Sequence, residues 1–332
     1  MLLLYNVQIA QVMAYRRLDS GGGIGSSACL PGLEQPVSMT FLRDDPLPPG
    51  AVQELGRPGG PRIRRVRCDN PGPFTFLGTN SYLLGEGEVT LIDPGPGDAA
   101  HTAALLAAMP GERLSRILVT HTHRDHSEGV PALLAATGAA TFGFGPHLTP
   151  LGDSGAGADH AYDPVHRLAD GDVVEGEGWR LAALHTPGHC ANHLSFALEG
   201  SGILFSGDHA MSCSTSVVTP PDGDMTAYMA GLARVAAGQW SWLLPGHGAP
   251  LRDPGPLLNA LLDHRWEREA LVLGALRRHG PATAAALVAG VYGALDPRLV
   301  QAAGHSLRAH LVKLERDGLA VGEGGLWHAV PG

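Results

Sequence analysis

Three histidines and an aspartate crowd into Thr120-His121-Thr122-His123-Arg124-Asp125-His126, directly after the apolar run Ile117-Leu118-Val119. Imidazole nitrogens and carboxylate oxygens are donors that zinc takes, and close spacing lets one turn aim several of them without ordering a long loop. The chemistry on offer is therefore metal binding. A terminal His-rich tract would sit elsewhere; this cluster lies between a strand-like run and a helix-like segment, residues 127–136. One turn cannot surround an ion, so further donors must come from a distance. Three are candidates: His189 in His185-Thr186-Pro187-Gly188-His189, Asp208 in Phe205-Ser206-Gly207-Asp208-His209, and His247 in Leu244-Pro245-Gly246-His247-Gly248. Each follows an apolar strand-like run and sits beside glycine, which lets the backbone turn sharply and approach a ligand.

Positioning such groups takes a large scaffold. With 332 residues, 44% of them hydrophobic, the chain can build a sizeable core and two domains. No run of 18 apolar residues marks a membrane span. Met1 to Ala14 has no basic residue ahead of it and is broken by Asn6, Gln8 and Gln11, a poor signal peptide. The expected location is the cytoplasm. Cys29, Cys68, Cys190 and Cys213 lack zinc or redox spacing and read as free thiols, with Cys190 a small buried filler. Residues 19–62 are rich in Gly and Pro without sustained periodicity, so 1–62 reads as an irregular arm whose first 38 residues are dispensable for fold and activity. A catalytic domain is expected over 63–262 and a smaller one over 263–332.

In the smaller domain, an amphipathic helix is predicted from Asp263 to about Arg278. A short one restarts at Pro281-Ala282-Thr283, and a third opens at Asp296-Pro297 with Leu299, Val300, Ala303, Leu307, Leu311 and Leu314 on one stripe. It stops at Gly318, and Leu319-Ala320-Val321 with the run Leu326 to Val330 forms a hairpin. Three helices and a hairpin make a winged helix.

The order His-x-His-x-Asp-His, lone His, Gly-Asp, Gly-His resembles the metallo-β-lactamase superfamily over roughly Val66 to Leu262. Gly78-Thr79-Asn80-Ser81-Tyr82-Leu83-Leu84 and Thr90-Leu91-Ile92-Asp93-Pro94-Gly95 resemble its opening strand pair. The resemblance implies an α/β fold, the αββα sandwich, with ligand loops along one edge. It also implies a hydrolase using a hydroxide bound to two Zn2+ ions. His121, His123 and His189 would hold the first ion, Asp125, His126 and His247 the second, and Asp208 would bridge them. Asp125 and Asp208 would in addition orient the hydroxide and move a proton, while Asp93 and His193 would support ligands from behind.

Ligand chemistry narrows the branch. Family β-lactamases usually have cysteine or serine where this chain has Asp208, which argues against antibiotic hydrolysis; the di-iron relatives have glutamate where His123 stands. A mononuclear iron dioxygenase shares several ligands and stays open. Only 39 positions separate Asp208 from His247, which excludes the nucleases with a large inserted domain there. The added winged helix resembles lactamase-like proteins that include single-strand endoribonucleases. His264-Arg265, Arg268-Glu269 and the segment Ser214 to Asp224 also resemble that group, and the segment is expected to lie over the metals.

Charge does not favour nucleic acid. The whole chain carries −9, and 263–332 holds eight basic residues against seven acidic ones, a weak basic footprint. Arg298, His305, Lys313 and Arg316 read as a solvated face opposite the leucine stripe. The winged helix then has two other roles to fill, walling the cleft or holding a homodimer. Hydrolysis of a small ester, thioester or related acyl substrate ranks first, RNA cleavage second, and a non-catalytic binding protein third, since a scaffold needs none of the ligands. His101, His147, His160 and His166 read as surface or loop residues.

Overall fold

The computed structural model describes residues 39–56, 60–150, 157–295 and 297–331; the expectation for residues 1–38 lies outside the described residues. Two sheets form the centre. The first has the spatial order β1 (Val52–Glu54), β2 (Ile63–Arg67), β3 (Asn80–Leu84), β4 (Glu88–Ile92), β5 (Arg113–Leu118), β6 (Ala140–Gly143), β7 (His166–Arg167), antiparallel as far as β4 and parallel from there. The second runs in space from β13 (Leu251–Arg252) through β12 (Trp242–Pro245), β11 (Ile203–Gly207), β10 (Leu194–Leu198) and β9 (Trp179–His185) to β8 (Val173–Gly176). Only β11 and β12 pair in parallel there.

Strand alternation sorts apolar side chains into layers. Tyr82 and Leu84 of β3 belong to the layer between the sheets, whereas Leu83 belongs to the outer one. The inner layer joins Ile63, Ile92 and Leu118 of one sheet to Leu181, Phe196, Phe205 and Leu244 of the other. Outside the first sheet, Leu91 and Ile117 pack with Leu105 of α1 (Ala99–Ala107) and Leu133 of α3 (Val130–Thr137); the single turn α2 (Arg124–Ser127) precedes α3. Outside the second, Leu204 and Leu243 pack with Leu232 of α4 (Met225–Ala236) and Leu258 of α5 (Gly255–His279). This is the expected αββα sandwich. Each fully buried leucine contributes roughly 1.5–3 kcal/mol of transfer free energy. Among the described residues no helix is long and apolar enough to cross a membrane.

The smaller domain has the expected three helices and hairpin, but α5 begins at Gly255 rather than Asp263 and runs unbroken through the 262/263 boundary. Pro254-Gly255-Pro256 looks like loop, yet proline is tolerated in a helix's first turn, where N–H groups have no intrahelical acceptor. Leu257, Leu258 and Leu261 of α5 pack on the sandwich. Its later Val272, Leu273 and Leu276 enter a separate core with α6 (Ala284–Tyr292), α7 (Val300–Arg316) and the hairpin β14 (Ala320–Glu323), β15 (Leu326–Ala329). Of the stripe, Leu307, Leu311 and Leu314 are buried, whereas Leu299 and Val300 are exposed because a 3-10 turn over Pro297–Leu299 precedes α7. Lys313 is not solvated; it is buried and ion-paired with Glu269 and Asp317.

Residues 39–56 are irregular apart from β1, yet they dock on the first sheet. There β1 adds an edge strand to β2, Val52 opposite Val66. Asp45, its side chain 1% exposed, ion-pairs with Arg65 and Arg67. A three-residue strand offers no periodicity to read, and nothing local pairs Asp45 with an arginine 20 positions away. Arg65 also bonds Gln53 and Asn80, so Asp45→Asn removes the charge while leaving it other partners. The expected loss is about 1.5–3 kcal/mol, the worth of a charged hydrogen bond. An unchanged urea midpoint would mean that Gln53 and Asn80 alone hold Arg65.

Candidate metal centre

Every candidate ligand follows the C-terminal end of a strand: the His121 to His126 turn follows β5, His189 follows β9, Asp208 β11 and His247 β12. The two sheets thus present them along one edge. Two glycines allow the approach. A Cβ on Gly246 would stand 2.5 Å from Asp208 Oδ1 and 2.6 Å from His126 Cε1, and Gly188, at φ 125°, lies against the Tyr228 backbone.

Outward partners set the imidazole tautomers. Thr120 Oγ1 donates to Asp93 Oδ2 at 2.8 Å, so it accepts from His121 Nδ1 at 3.0 Å and leaves the His121 Nε2 lone pair facing inward. His189 Nδ1 donates to the Val217 carbonyl at 2.6 Å, His126 Nδ1 to Asp93 Oδ2 at 2.8 Å, and His247 Nδ1 to the Gly78 carbonyl at 3.3 Å. All four rings therefore offer Nε2. His121 Nε2 and His189 Nε2 lie 2.8 and 3.0 Å from His123 Nδ1. His126 Nε2 and His247 Nε2 are 3.4 Å apart and lie 3.5 and 3.2 Å from Asp125 Oδ2. Asp208 stands between the groups, Oδ1 3.5 Å from His126 Nε2, and Oδ2 3.6 and 3.4 Å from the Nε2 atoms of His189 and His247.

Lone pairs converging at such distances repel unless a cation or proton lies among them. Asp208 Oδ1 is buried without a hydrogen-bond donor among the described residues. Three nitrogens in one group, and two nitrogens with carboxylates in the other, form the donor set that divalent transition metals take. The residues fit a metal. Electrostatics agree: burial pulls His123 down to about 3, with His189 adding to the effect, so it stays a neutral donor. At His247 burial opposes charge, yet Asp208 and Asp125 outweigh it and raise the ring to about 10. The carboxylates demand positive charge, which protons meet without metal, and metal uptake would release those protons.

Supports lie one shell out. Asp93 accepts from Thr120 N at 2.7 Å as well as from His126, and it does so at φ 53°, a left-handed backbone rare outside glycine, Asn and Asp. His193 accepts the Asp208 N–H at 3.1 Å through Nε2 and donates from Nδ1 to Thr186 Oγ1 at 2.9 Å. The segment Ser214 to Asp224 crosses the site, Val217 holding His189 and Ser216 Oγ donating to the Asp208 carbonyl. Sequence reasoning missed Asn80, whose amide donates to the carbonyls of Pro245 and Gly248 at 2.9 and 2.8 Å and so fixes the His247 turn. Its signal was the Gly78 to Leu84 motif itself. His101 and His147 are not surface residues. His101 is buried against Ser81 Oγ at 2.9 Å, burial lowering it to about 4, and His147 is buried against Thr122 Oγ1 at 2.9 Å. Cys190 is fully buried, and burial pushes its thiol well above the usual range, so it offers no thiolate.

Residues 74–273 match the metallo-beta-lactamase superfamily, and residues 283–327 the beta-lactamase associated winged helix domain. The chain is 34% identical to an atrochrysone carboxyl ACP thioesterase of Aspergillus fumigatus over 71% of its own length and 75% of that protein's. It is 31% identical to the lactamase-like protein adaB of Aspergillus niger over 77% and 80%. Among solved structures, a beta-lactamase domain protein from Burkholderia ambifaria superposes with TM-score 0.73 at 24% identity, covering 87% of this chain and 97% of that one. A metallo-beta-lactamase family protein from Thermus thermophilus gives 0.67 at 24%, covering 81% and 98%.

Proposed function

Because this chain belongs to the metallo-β-lactamase superfamily, we propose that it is a metal-dependent thioesterase, cleaving an acyl thioester carried by a small thiol or by a carrier protein. The observation that carries the proposal is the convergence of five imidazole nitrogens, four Nε2 and His123 Nδ1, with Asp208 and Asp125, a donor set suited to cations. His121, His123 and His189 would hold one ion, Asp125, His126 and His247 the second, and Asp208 would be shared, with zinc the metal that suits these donors. Ions bound there supply Lewis-acid polarisation of the acyl carbonyl and acidify water toward a pKa of about 7.

The two carboxylates divide the remaining work by exposure. The Asp208 side chain is 8% exposed and its backbone N–H is held by His193, which suits it to orientation. The Asp125 side chain is 26% exposed, open enough to pass a proton to solvent, and Thr79 Oγ1 steadies its Oδ2 at 3.3 Å. A thiol of pKa about 8.5 departs as thiolate near neutral pH without a dedicated proton donor, which an alcohol would need. That preference, together with thioesterase relatives at 34% identity, supports thioesters over carboxylic esters. The RNA alternative loses part of its cationic face, since Lys313 is buried and Arg316 is paired with Asp224.

The test is a panel of acyl-coenzyme A, acyl-carrier-protein thioester, carboxylic ester, phosphodiester and labelled single-stranded RNA. We expect thioester cleavage that stops on chelation and returns with Zn2+. Metal-dependent RNA cleavage without acyl hydrolysis would sink the proposal.

A further inference from the structure

We infer that Arg265 is a positioning residue, through which the helix shared with the winged-helix domain sets the loop that orients His189 and Asp208. The inference rests on the proposed metal centre. Arg265 lies midway along α5, between the turns packed on the sandwich and those in the winged-helix core. It is 2% exposed, its guanidinium donates to the Ser216 carbonyl, and its Cζ stands 5.0 Å over the Tyr228 ring. Its Nε has no acceptor among the described residues. Burying a cation is costly unless it is paired and hydrogen-bonded, so its few partners matter. Here it ties down Ser216, whose hydroxyl donates to the Asp208 carbonyl, next to Val217, whose carbonyl fixes the His189 tautomer. Tyr228, under the guanidinium, donates to the His209 carbonyl at 3.0 Å, holding the same turn from the other side. Asp224, where the loop ends, caps α4 and pairs with Arg316 of α7, a second tie to the winged helix.

This accounts for a winged helix on an enzyme with little basic footprint: the domain braces the site. The experiment compares Arg265→Lys, Arg265→Ala and Arg268→Lys. Arg268 neighbours Arg265 on α5 but turns toward the winged helix, donating to the Val291 carbonyl at 2.7 Å and lying over the Tyr292 ring, with His264 Nε2 at 3.4 Å, and it makes no bond to the Ser214 to Asp224 segment among the described residues. Zn2+ affinity is read by competition with a chelating dye, beside kcat, KM and melting temperature. Arg265→Lys should lose about tenfold in Zn2+ affinity, the low end for residues behind metal ligands, and kcat should fall more than KM rises. In Arg265→Ala, millimolar guanidinium should restore part of both; if that variant does not fold, Arg265→Lys decides. Equal losses in Arg268→Lys, or unchanged Zn2+ affinity in folded Arg265→Lys, would overturn the inference. A parent protein that binds no Zn2+ would instead bring down the metal reading on which it rests.

Discussion

Asp208→Ala should cost the protein at least one metal ion and more than about 100-fold in hydrolysis, beyond the upper figure for groups one step removed from a metal. The expectation follows from position. Among the described residues, Asp208 is the one carboxylate whose two oxygens face both ligand groups, Oδ1 toward His126 and Oδ2 toward His189 and His247. On the proposed binuclear reading, removing it would take away the anion that compensates two cations held close together. The fold should survive, because the Asp208 backbone N–H and carbonyl keep their bonds to His193 and Ser216. Elemental analysis beside circular dichroism checks this. Full metal content with full activity in a folded Asp208→Ala protein would show that the two ligand groups act independently, or that only one of them holds metal.

Why was this centre legible while much of its support was not? The candidate ligands sit in short polar segments immediately after apolar strands, so local sequence carries both their type and their placement: His121, His123, Asp125 and His126 fall within six residues directly after β5. What escaped were partners distant in sequence. Asp45 meets Arg65 across 20 positions, and Arg265 meets Ser216 across 49. A buried charge looks like a solvated one until its partner is found. The helix start at Gly255 was hidden by prolines that mean loop in most settings and first turn in this one. His101 was misread for a simpler reason, that an isolated histidine carries no pattern revealing which face it occupies; His147 does lie in a loop, and only its burial went unforeseen.

Lys313→Ala is expected to destabilise the protein by about 3–5 kcal/mol, the penalty for breaking a buried ion pair by removing one partner. The Lys313 side chain is 8% exposed and that of Glu269 1%, with Nζ 2.9 Å from Glu269 Oε1 and 2.6 Å from Asp317 Oδ2. Nζ also stands 5.0 Å from the Trp266 ring. Without the lysine, Glu269 faces, among the described residues, only His310, whose Nδ1 is 3.5 Å from Oε2 and whose ring burial keeps from taking a proton readily. Burial opposes charge on Lys313, but Glu269 and Asp317 together outweigh it and hold the ammonium above its ordinary value. A raised folded-state pKa means that the stabilisation is whole at neutral pH and fades as pH climbs past the unfolded value of about 10.4. Removing both buried charges at matched volume, Lys313→Met with Glu269→Leu, should recover most of the loss, because no buried carboxylate is then stranded and Asp317, its side chain 34% exposed, reaches solvent. Denaturant titrations of the single and double variants decide it. A loss under about 1 kcal/mol in Lys313→Ala is the signature of an exposed pair; it would return Lys313 to a solvated basic face, and with it the case for RNA.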